Sequence, residues 1–273
     1  MTGTDQFGDR MKRYEMAEAG RHLMPLAPVL ARLDGEAFHT FCKGLKKPYD
    51  ERLSRLMQAT ARYLLEMTGA SIVYTQSDEI SLVWHFDDYE RPMVFNGRTH
   101  KIVGHLAAKA SGFFCTHLPE HLPEKVGEIP TFDCRVWNVP NRMEATNTIL
   151  WREMDATKNS IQSAAQALYP QEDLHGCRRS EQMAMLHAKG VNWDDYPPFF
   201  KRGTFFQRRT ISRPFSVEEI DSLPPKHSAR KNPDLVVERK VTRELEMPPF
   251  VRLSNRVEVI FEGAEPMLAQ EEA

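Results

Sequence analysis

The chain has 273 residues, 41% of them hydrophobic and 27% charged, the profile of a globular protein and not of a disordered, collagen-like or coiled-coil one. Lys and Arg number 36 against 38 Asp and Glu, a formal net charge of −2, which excludes a polycation that coats nucleic acid by charge alone. Any RNA or DNA binding must come from a local patch.

Val29 to Leu33 is a short apolar run that stops at Asp34-Gly35, a strand ending in a turn. A basic loop with Lys43, Lys46, Lys47 and Pro48 follows, and Asp50 stands where a helix N-cap belongs. Leu53, Leu56, Met57, Ala61, Leu64 and Leu65 then recur at helical spacing until Gly69 stops them. Ser71 to Thr75 and Ile80 to Phe86 are rich in β-branched and aromatic residues, with only Gln76-Ser77-Asp78-Glu79 between them, which predicts a hairpin with a polar tip. From Arg98 on, Ile102, Val103, Leu106, Ala107, Ala110, Phe113 and Phe114 keep the period of a half-buried helix. A loop from Pro119 to Pro130 leads to a fourth strand over Phe132 to Val139.

This order is the split β-α-β unit of a ferredoxin-like α+β domain. In that topology the first and third strands are antiparallel central neighbours, so Asp34 and the Asp78-Glu79 pair converge at one sheet edge. Beyond residue 140 the pattern predicts a long helix from about Met143 to Leu168 and a shorter one over Arg179 to Lys189, closed by Gly190. From Pro214 on it predicts irregular connections ending in a strand over Arg256 to Phe261. The expected division is a catalytic unit over 1–140 and a helical and mixed region over 141–273 packed on it.

No apolar run approaches the roughly 20 residues of a membrane helix, and Met1 to Arg21 lacks a signal-peptide core, so a cytoplasmic protein with no membrane partner is expected. Cys42, Cys115, Cys134 and Cys177 form no Cys-x-x-Cys pair, which argues against a zinc knuckle or disulfide framework and for ordinary buried thiols.

Carboxylates gathered at strand ends repel one another unless a hard divalent cation neutralises them, and Mg²⁺ suits that oxygen environment while leaving positions for phosphate oxygens. Asp34, Asp78 and Glu79 are therefore candidates for a two-ion phosphoryl or nucleotidyl transfer site, or else ordinary turn formers. Lys43, Lys46 and Lys47, with Arg98 and Lys101 at a helix start, could hold a triphosphate at that edge, or could be solvated charges. Lys201, Arg202, Arg208, Arg209 and Arg213 alternate with Phe199, Phe200, Phe205 and Phe206, either an RNA-contacting stretch or an amphipathic strand. His117 and His121 have the spacing of a helical zinc pair, but Pro119 between them predicts loop histidines. No glycine-rich phosphate loop or nucleophile elbow is present.

The run Arg32-Leu33-Asp34-Gly35-Glu36-Ala37-Phe38-His39-Thr40-Phe41, then Lys47-Pro48, Asp50 and Gln76-Ser77-Asp78-Glu79, resembles the tRNA(His) guanylyltransferase superfamily. Arg98-Thr99-His100-Lys101, Phe132-Asp133-Cys134-Arg135-Val136, Trp151-Arg152 with Asp155, and Lys201-Arg202-Gly203-Thr204 fall in the order that family shows. The resemblance implies a polymerase-type palm with two Mg²⁺ ions, adding nucleotides to the 5′ end of tRNA in the 3′-to-5′ direction after ATP or GTP activates the 5′ phosphate. It implies Asp34 and Asp78 as metal carboxylates with the Gly35 carbonyl as a further ligand and Glu79 beside them. Phe38, His39, Lys47 and Ser77 would line the activating-nucleotide site, Arg98 and Lys101 would hold triphosphate, and Asn159, Lys201, Arg202, Arg208 and Arg209 would serve RNA. A homo-oligomer, a dimer of dimers, is implied as well.

Glu36 stands where the family commonly has Arg, and Tyr49 where it has Asn, so the nucleotide contacts of those positions stay open. Thr157 to Ser163 retains only Asn159 of the eukaryotic His-Ile-Asn-Asn-Leu-Tyr-Asn stretch. In this the protein is similar to the bacterial and archaeal guanylyltransferase-like proteins, which favour templated repair of truncated tRNA 5′ ends over addition of a single guanosine. A palm-fold nucleotide cyclase and a non-catalytic RNA-binding module are the alternatives.

Overall fold

In the computed structural model, which describes residues 6–17, 20–90 and 93–270, six strands form one antiparallel sheet in the order β4-β1-β3-β2-β5-β6. The described part begins with α1 (Gln6–Ala17), followed by β1 (Val29–Gly35), a single turn α2 (Phe38–Phe41) and α3 (Glu51–Thr68). The hairpin β2 (Ile72–Gln76) and β3 (Glu79–Trp84) comes next, then α4 (Thr99–His121) and β4 (Phe132–Asn138). The long α5 (Arg142–Gln166) leads through α6 (Gln171–Leu174), α7 (Arg179–Ala188) and α8 (Pro198–Arg202) into β5 (Thr204–Pro214). Short helices α9 (Val217–Ser222) and α10 (Ser228–Lys231), strand β6 (Val236–Leu245) and α11 (Arg256–Glu262) complete the order.

The caps fix α3. Asp50 accepts the Arg52 N–H at 3.1 Å and is gripped by the Arg52 guanidinium, which holds its carboxyl down to about 2, and Gly69 closes the helix at φ 66. β2 and β3 are buried on both faces, which is why they read as continuous apolar runs rather than alternating ones. Alternation along β1 sends Val29, Ala31 and Leu33 into the core beneath α3 and α4. Leu30 goes to the opposite face, where Ile72, Tyr74, Val83 and Phe205 meet Ile149 of α5 and Val259 and Ile260 of α11. Arg32 and Asp34 follow Leu30 on that second face.

Two expectations need correction. Arg256 to Phe261 is helical: Val259 and Ile260, adjacent in sequence, are both fully buried, and the buried Gln207 Nε2 donates to their carbonyls at 2.7 and 3.2 Å. Gly263 at φ 72 ends this helix, and packing together with the Gln207 amide that caps its carbonyls overrides its β-branched composition. Likewise α4 runs through Pro119 to His121, because a proline in the last turn forfeits only the bond to the Cys115 carbonyl, and Leu122 N–H to Leu118 O at 2.8 Å still closes the end. His117 and His121 are thus helical, and His117 lies on the Phe113 ring with its Nδ1 at 2.9 Å from the Phe113 carbonyl oxygen. Among the described residues no helix is long and apolar enough to cross a membrane.

Candidate active site at the Asp34–Asp78 edge

The sheet register pairs Asp34 of β1 with Glu79 of β3, and the Gly35 N–H donates to the Asp78 carbonyl at 3.0 Å. Asp34, Gly35, Asp78 and Glu79 are thereby brought to one edge. Glycine is required at 35: a Cβ there would lie 2.3 Å from the Phe38 ring, which is wedged under the Asp34–Gly35 turn among Phe41, Phe114 and Phe132. Phe38, 2% exposed, therefore shapes the turn from inside the core and is not among the residues that line the cleft beside this edge. Across the sheet, Ser77 turns the two-residue hairpin with φ 49, a left-handed backbone that a non-glycine residue holds only under constraint.

Burial raises the Asp78 carboxyl above its ordinary range and the Asp34 carboxylate adds to the rise, against lowering by Asp78's own backbone N–H and the Ser77 hydroxyl. Glu79 has a different role. It is 5% exposed and receives Nε and Nη2 of Arg152 at 2.7 Å each, with Arg32 Nε 4.0 Å away. Its oxygens are committed to a buried guanidinium, so Glu79 is a counter-ion and is not available as a third metal carboxylate. Among the described residues no group of three or more His, Cys, Asp and Glu side chains could hold a metal. Two carboxylates with the Gly35 carbonyl beside them nevertheless suit Mg²⁺, which characteristically takes one or two carboxylates and completes its shell with water and substrate phosphates.

A cleft of about 480 Å³ opens beside this edge. Asp34, Ser77 and Asp78 form one wall, and the loop after α2 contributes Lys46 and Lys47. Asn159 and Ser163 of α5 face it from above. Tyr49 packs on Phe199 and Phe200, with ring centroids 5.2 and 4.7 Å apart, into an aromatic side. Cys42 also lines the cleft, but burial pushes its thiol up to about 11, so it is no thiolate nucleophile. The four cysteines are half-buried and free.

The aromatic-basic stretch divides. Phe205 and Phe206 belong to opposite faces of the sheet core, whereas Phe199 and Phe200 reach the cleft. Lys201 is buried over the Trp193 ring with its Nζ donating to the Asp194 carbonyl, and Arg209 is held by Glu265 and the Ala264 carbonyl. Arg202 is half-buried 4.0 Å from Glu153, and Arg208 lies against Gly69. Lys201 and Arg209 are thus committed within the fold, and only Asn159 of the expected RNA set lines the cleft.

Arg98 and Lys101 are not at this edge. The segment before β1 ties down the start of α4 through Leu23 N–H to Gly97 O at 2.8 Å, whereas the Phe132 N–H at the start of β4, opposite Gly35, meets Ser111 Oγ at 3.0 Å. The 23-residue helix therefore runs about 34 Å from the far end of the sheet back toward the carboxylates. His39 is exposed on α2 outside the cleft. Arg152 and Tyr49 are the site residues to which sequence reasoning gives no role; the recurrence of 152, 156, 159 and 163 on one helical face is the signal for α5.

A profile of the tRNAHis guanylyltransferase (Thg1) family matches residues 8–140. A solved structure of a bacterial tRNA(His) guanylyltransferase (Thg1)-like protein in complex with ATP is 38% identical, covering 74% of this chain and 88% of that one, with a TM-score of 0.70. The chain belongs to the tRNAHis guanylyltransferase family. A second bacterial Thg1-like structure, in complex with GTP, is 30% identical and covers 90% of this chain and 94% of that one, with a TM-score of 0.68. The tRNA(His) guanylyltransferase of Schizosaccharomyces pombe is 27% identical over 223 residues, 77% of this chain and 83% of its own. Members of the family are nucleotidyltransferases.

Proposed function

We propose that the protein is a Mg²⁺-dependent 3′-to-5′ RNA nucleotidyltransferase that extends or repairs the 5′ end of tRNA after ATP or GTP activates the 5′ phosphate. The observation that carries this reading is the convergence of Asp34 and Asp78 on a cleft with two lysines and an aromatic side. The strand order β4-β1-β3-β2 with α3 and α4 on one face supports a ferredoxin-like, polymerase-type palm.

Lys46 and Lys47 supply positive charge for a triphosphate, while Tyr49, Phe199 and Phe200 offer ring faces to a base. Asp34, Asp78 and the Gly35 carbonyl would hold Mg²⁺, whose charge would offset that of the phosphates and of the departing oxygen. Arg152 holds both Glu79 oxygens at the head of β3, so the adjoining Asp78 is presented at constant geometry. We also expect a homo-oligomer, a reading supported by α1, which buries none of its residues and exposes Phe7 and Tyr14.

A 5′-labelled, 5′-truncated tRNA transcript incubated with protein, Mg²⁺ and nucleoside triphosphates tests the proposal. Stepwise lengthening that follows the opposite strand supports templated repair. A single guanosine added to full-length tRNA(His) supports the maturation activity named for the S. pombe relative, and cyclic nucleotide formed from ATP or GTP alone would overturn the RNA reading.

A further inference from the structure

The face of the sheet that carries Asp34 continues away from the cleft onto β4. In the β1–β4 register Asp133 stands opposite Asp34, and Arg135 opposite Arg32. β4 is the edge strand, and its Asp133 and Arg135 side chains are 55% and 58% exposed, with 3.5 Å between their charged groups. Above them α5 presents Trp151, 54% exposed although it is the largest residue on that helix.

Trp151 is exposed but held. The Arg152 guanidinium lies 4.5 Å from its ring centroid and that of Arg32 5.8 Å. Arg152 is itself locked on Glu79, and Arg32 projects from a central strand. The Arg32 Nε is buried without a hydrogen bond, since the nearest carboxylate, Glu79, is already taken by Arg152. An aromatic surface, immobilised and half in water, thus sits beside two guanidiniums, and the one with an unpartnered donor, Arg32, stands two residues along β1 from Asp34.

The cleft does not include Trp151. It lies on the β2–β3 side of the carboxylates and against the face of α5 that runs from Arg152 to Ser163, so that Arg152 stands between the cleft and the Trp151 ring. A transfer between two reactants needs a surface for each, and the Asp34–Asp78 edge has an aromatic-basic surface on either side. The cleft suits the triphosphate. The ligand chemistry that fits the other surface is an unpaired base stacked on the indole, with an adjoining phosphate or base edge met by arginine.

We propose that Trp151, with Arg32 and Arg135, is a stacking platform for an unpaired nucleobase of the RNA strand brought to the Asp34–Asp78 edge. The inference rests on the RNA reading above for its choice of strand. It makes Trp151 a positioning residue that does not touch the reacting atoms.

The test uses the full-length protein, a 5′-phosphorylated single-stranded RNA pentamer and the truncated tRNA transcript. The pentamer should quench tryptophan fluorescence in the wild type, and Trp151→Phe, which can stack but is dark at that position, should lose the quench while binding RNA as the wild type does. Trp151→Ala should bind RNA about tenfold more weakly, the size expected of one base–aromatic stack, with the KM for nucleoside triphosphate unchanged. Arg135→Glu, at an exposed position, should weaken RNA binding in the same direction and tests the platform even if Trp151→Ala folds poorly. Wild-type RNA affinity in Trp151→Ala and Arg135→Glu, or an undiminished quench in Trp151→Phe, would overturn the platform and leave the edge strand to another partner such as a protein. A wild type that shows the Trp151 quench but lengthens no transcript would overturn the proposed function and keep the platform.

Discussion

Arg152 and Glu79 are joined by two 2.7 Å hydrogen bonds directly under the edge that carries Asp34 and Asp78. Both side chains are more than nine-tenths buried, at 8% and 6% exposure. Burial raises the Glu79 carboxyl above its ordinary range, and the bonds and charge of Arg152 pull it back. Breaking such a pair from one side strands a charge, at a cost of about 3–5 kcal/mol. Arg152→Met should therefore lower unfolding stability by an amount in that range, measured by urea titration. The double variant Glu79→Gln/Arg152→Met should recover part of the loss, because no unpaired carboxylate remains. A single variant as stable as the wild type would show that Glu79 finds another partner.

Gly35→Ala tests the wedge under the Asp34–Gly35 turn. A methyl group 2.3 Å from the Phe38 ring must displace a ring packed against three other phenylalanines, and overpacking of this kind costs about 1–3 kcal/mol. The displacement moves the Asp34 backbone, so nucleotidyl transfer should fall more than stability does. Phe38→Leu, introduced with Gly35→Ala, should restore part of both; absence of any rescue would place the defect elsewhere in the turn.

Glu153 links pH to stability. Its carboxylate accepts the Phe250 N–H at 2.9 and 3.0 Å and holds the segment before α11 to α5, with Arg202 4.0 Å away and the Tyr74 ring close by. Burial pushes this carboxyl from 4.5 up to about 7. Between those values the unfolded state has released its proton while the folded one retains it, so this group's contribution falls as pH rises through the window and is flat above it. Glu153→Gln lacks the titration. The stability of the variant relative to the wild type should rise from about pH 4.5 to about pH 7, as read by urea midpoints, and parallel curves for the two proteins would contradict the assignment.

Local chemistry made much of this legible. Asp50 and Gly69 mark the ends of α3, and the unbroken apolar character of β2 and β3 marks strands covered on both faces. The convergence of Asp34 with Asp78 follows from strand order alone. What escapes depends on long-range packing. β6 alternates between exposed and half-buried positions and is held by its pairing with β5, so its mixed charge reads as a connection. The strand expected at Arg256 is instead α11 because Gln207, some fifty residues earlier, caps its carbonyls. Sequence order puts Arg98 and Lys101 at the carboxylate edge, but α4 starts at the opposite end of the sheet. The pairing of Glu79 with Arg152, 73 positions away, is equally invisible in the sequence, and it turns a carboxylate expected beside the metal pair into a counter-ion.

The most direct measurement is 5′ extension of a truncated tRNA by the wild type and by Asp34→Asn and Asp78→Asn, with RNA binding followed in parallel. Both substitutions keep the shape of the residue and remove the charge that fits Mg²⁺. The wild type should lengthen the transcript in Mg²⁺ and stop in chelator. Both variants should bind RNA as the wild type does yet extend it at least about a hundredfold more slowly, a loss of the several kcal/mol that metal-held charge stabilisation supplies. Wild-type extension by either variant would contradict the account.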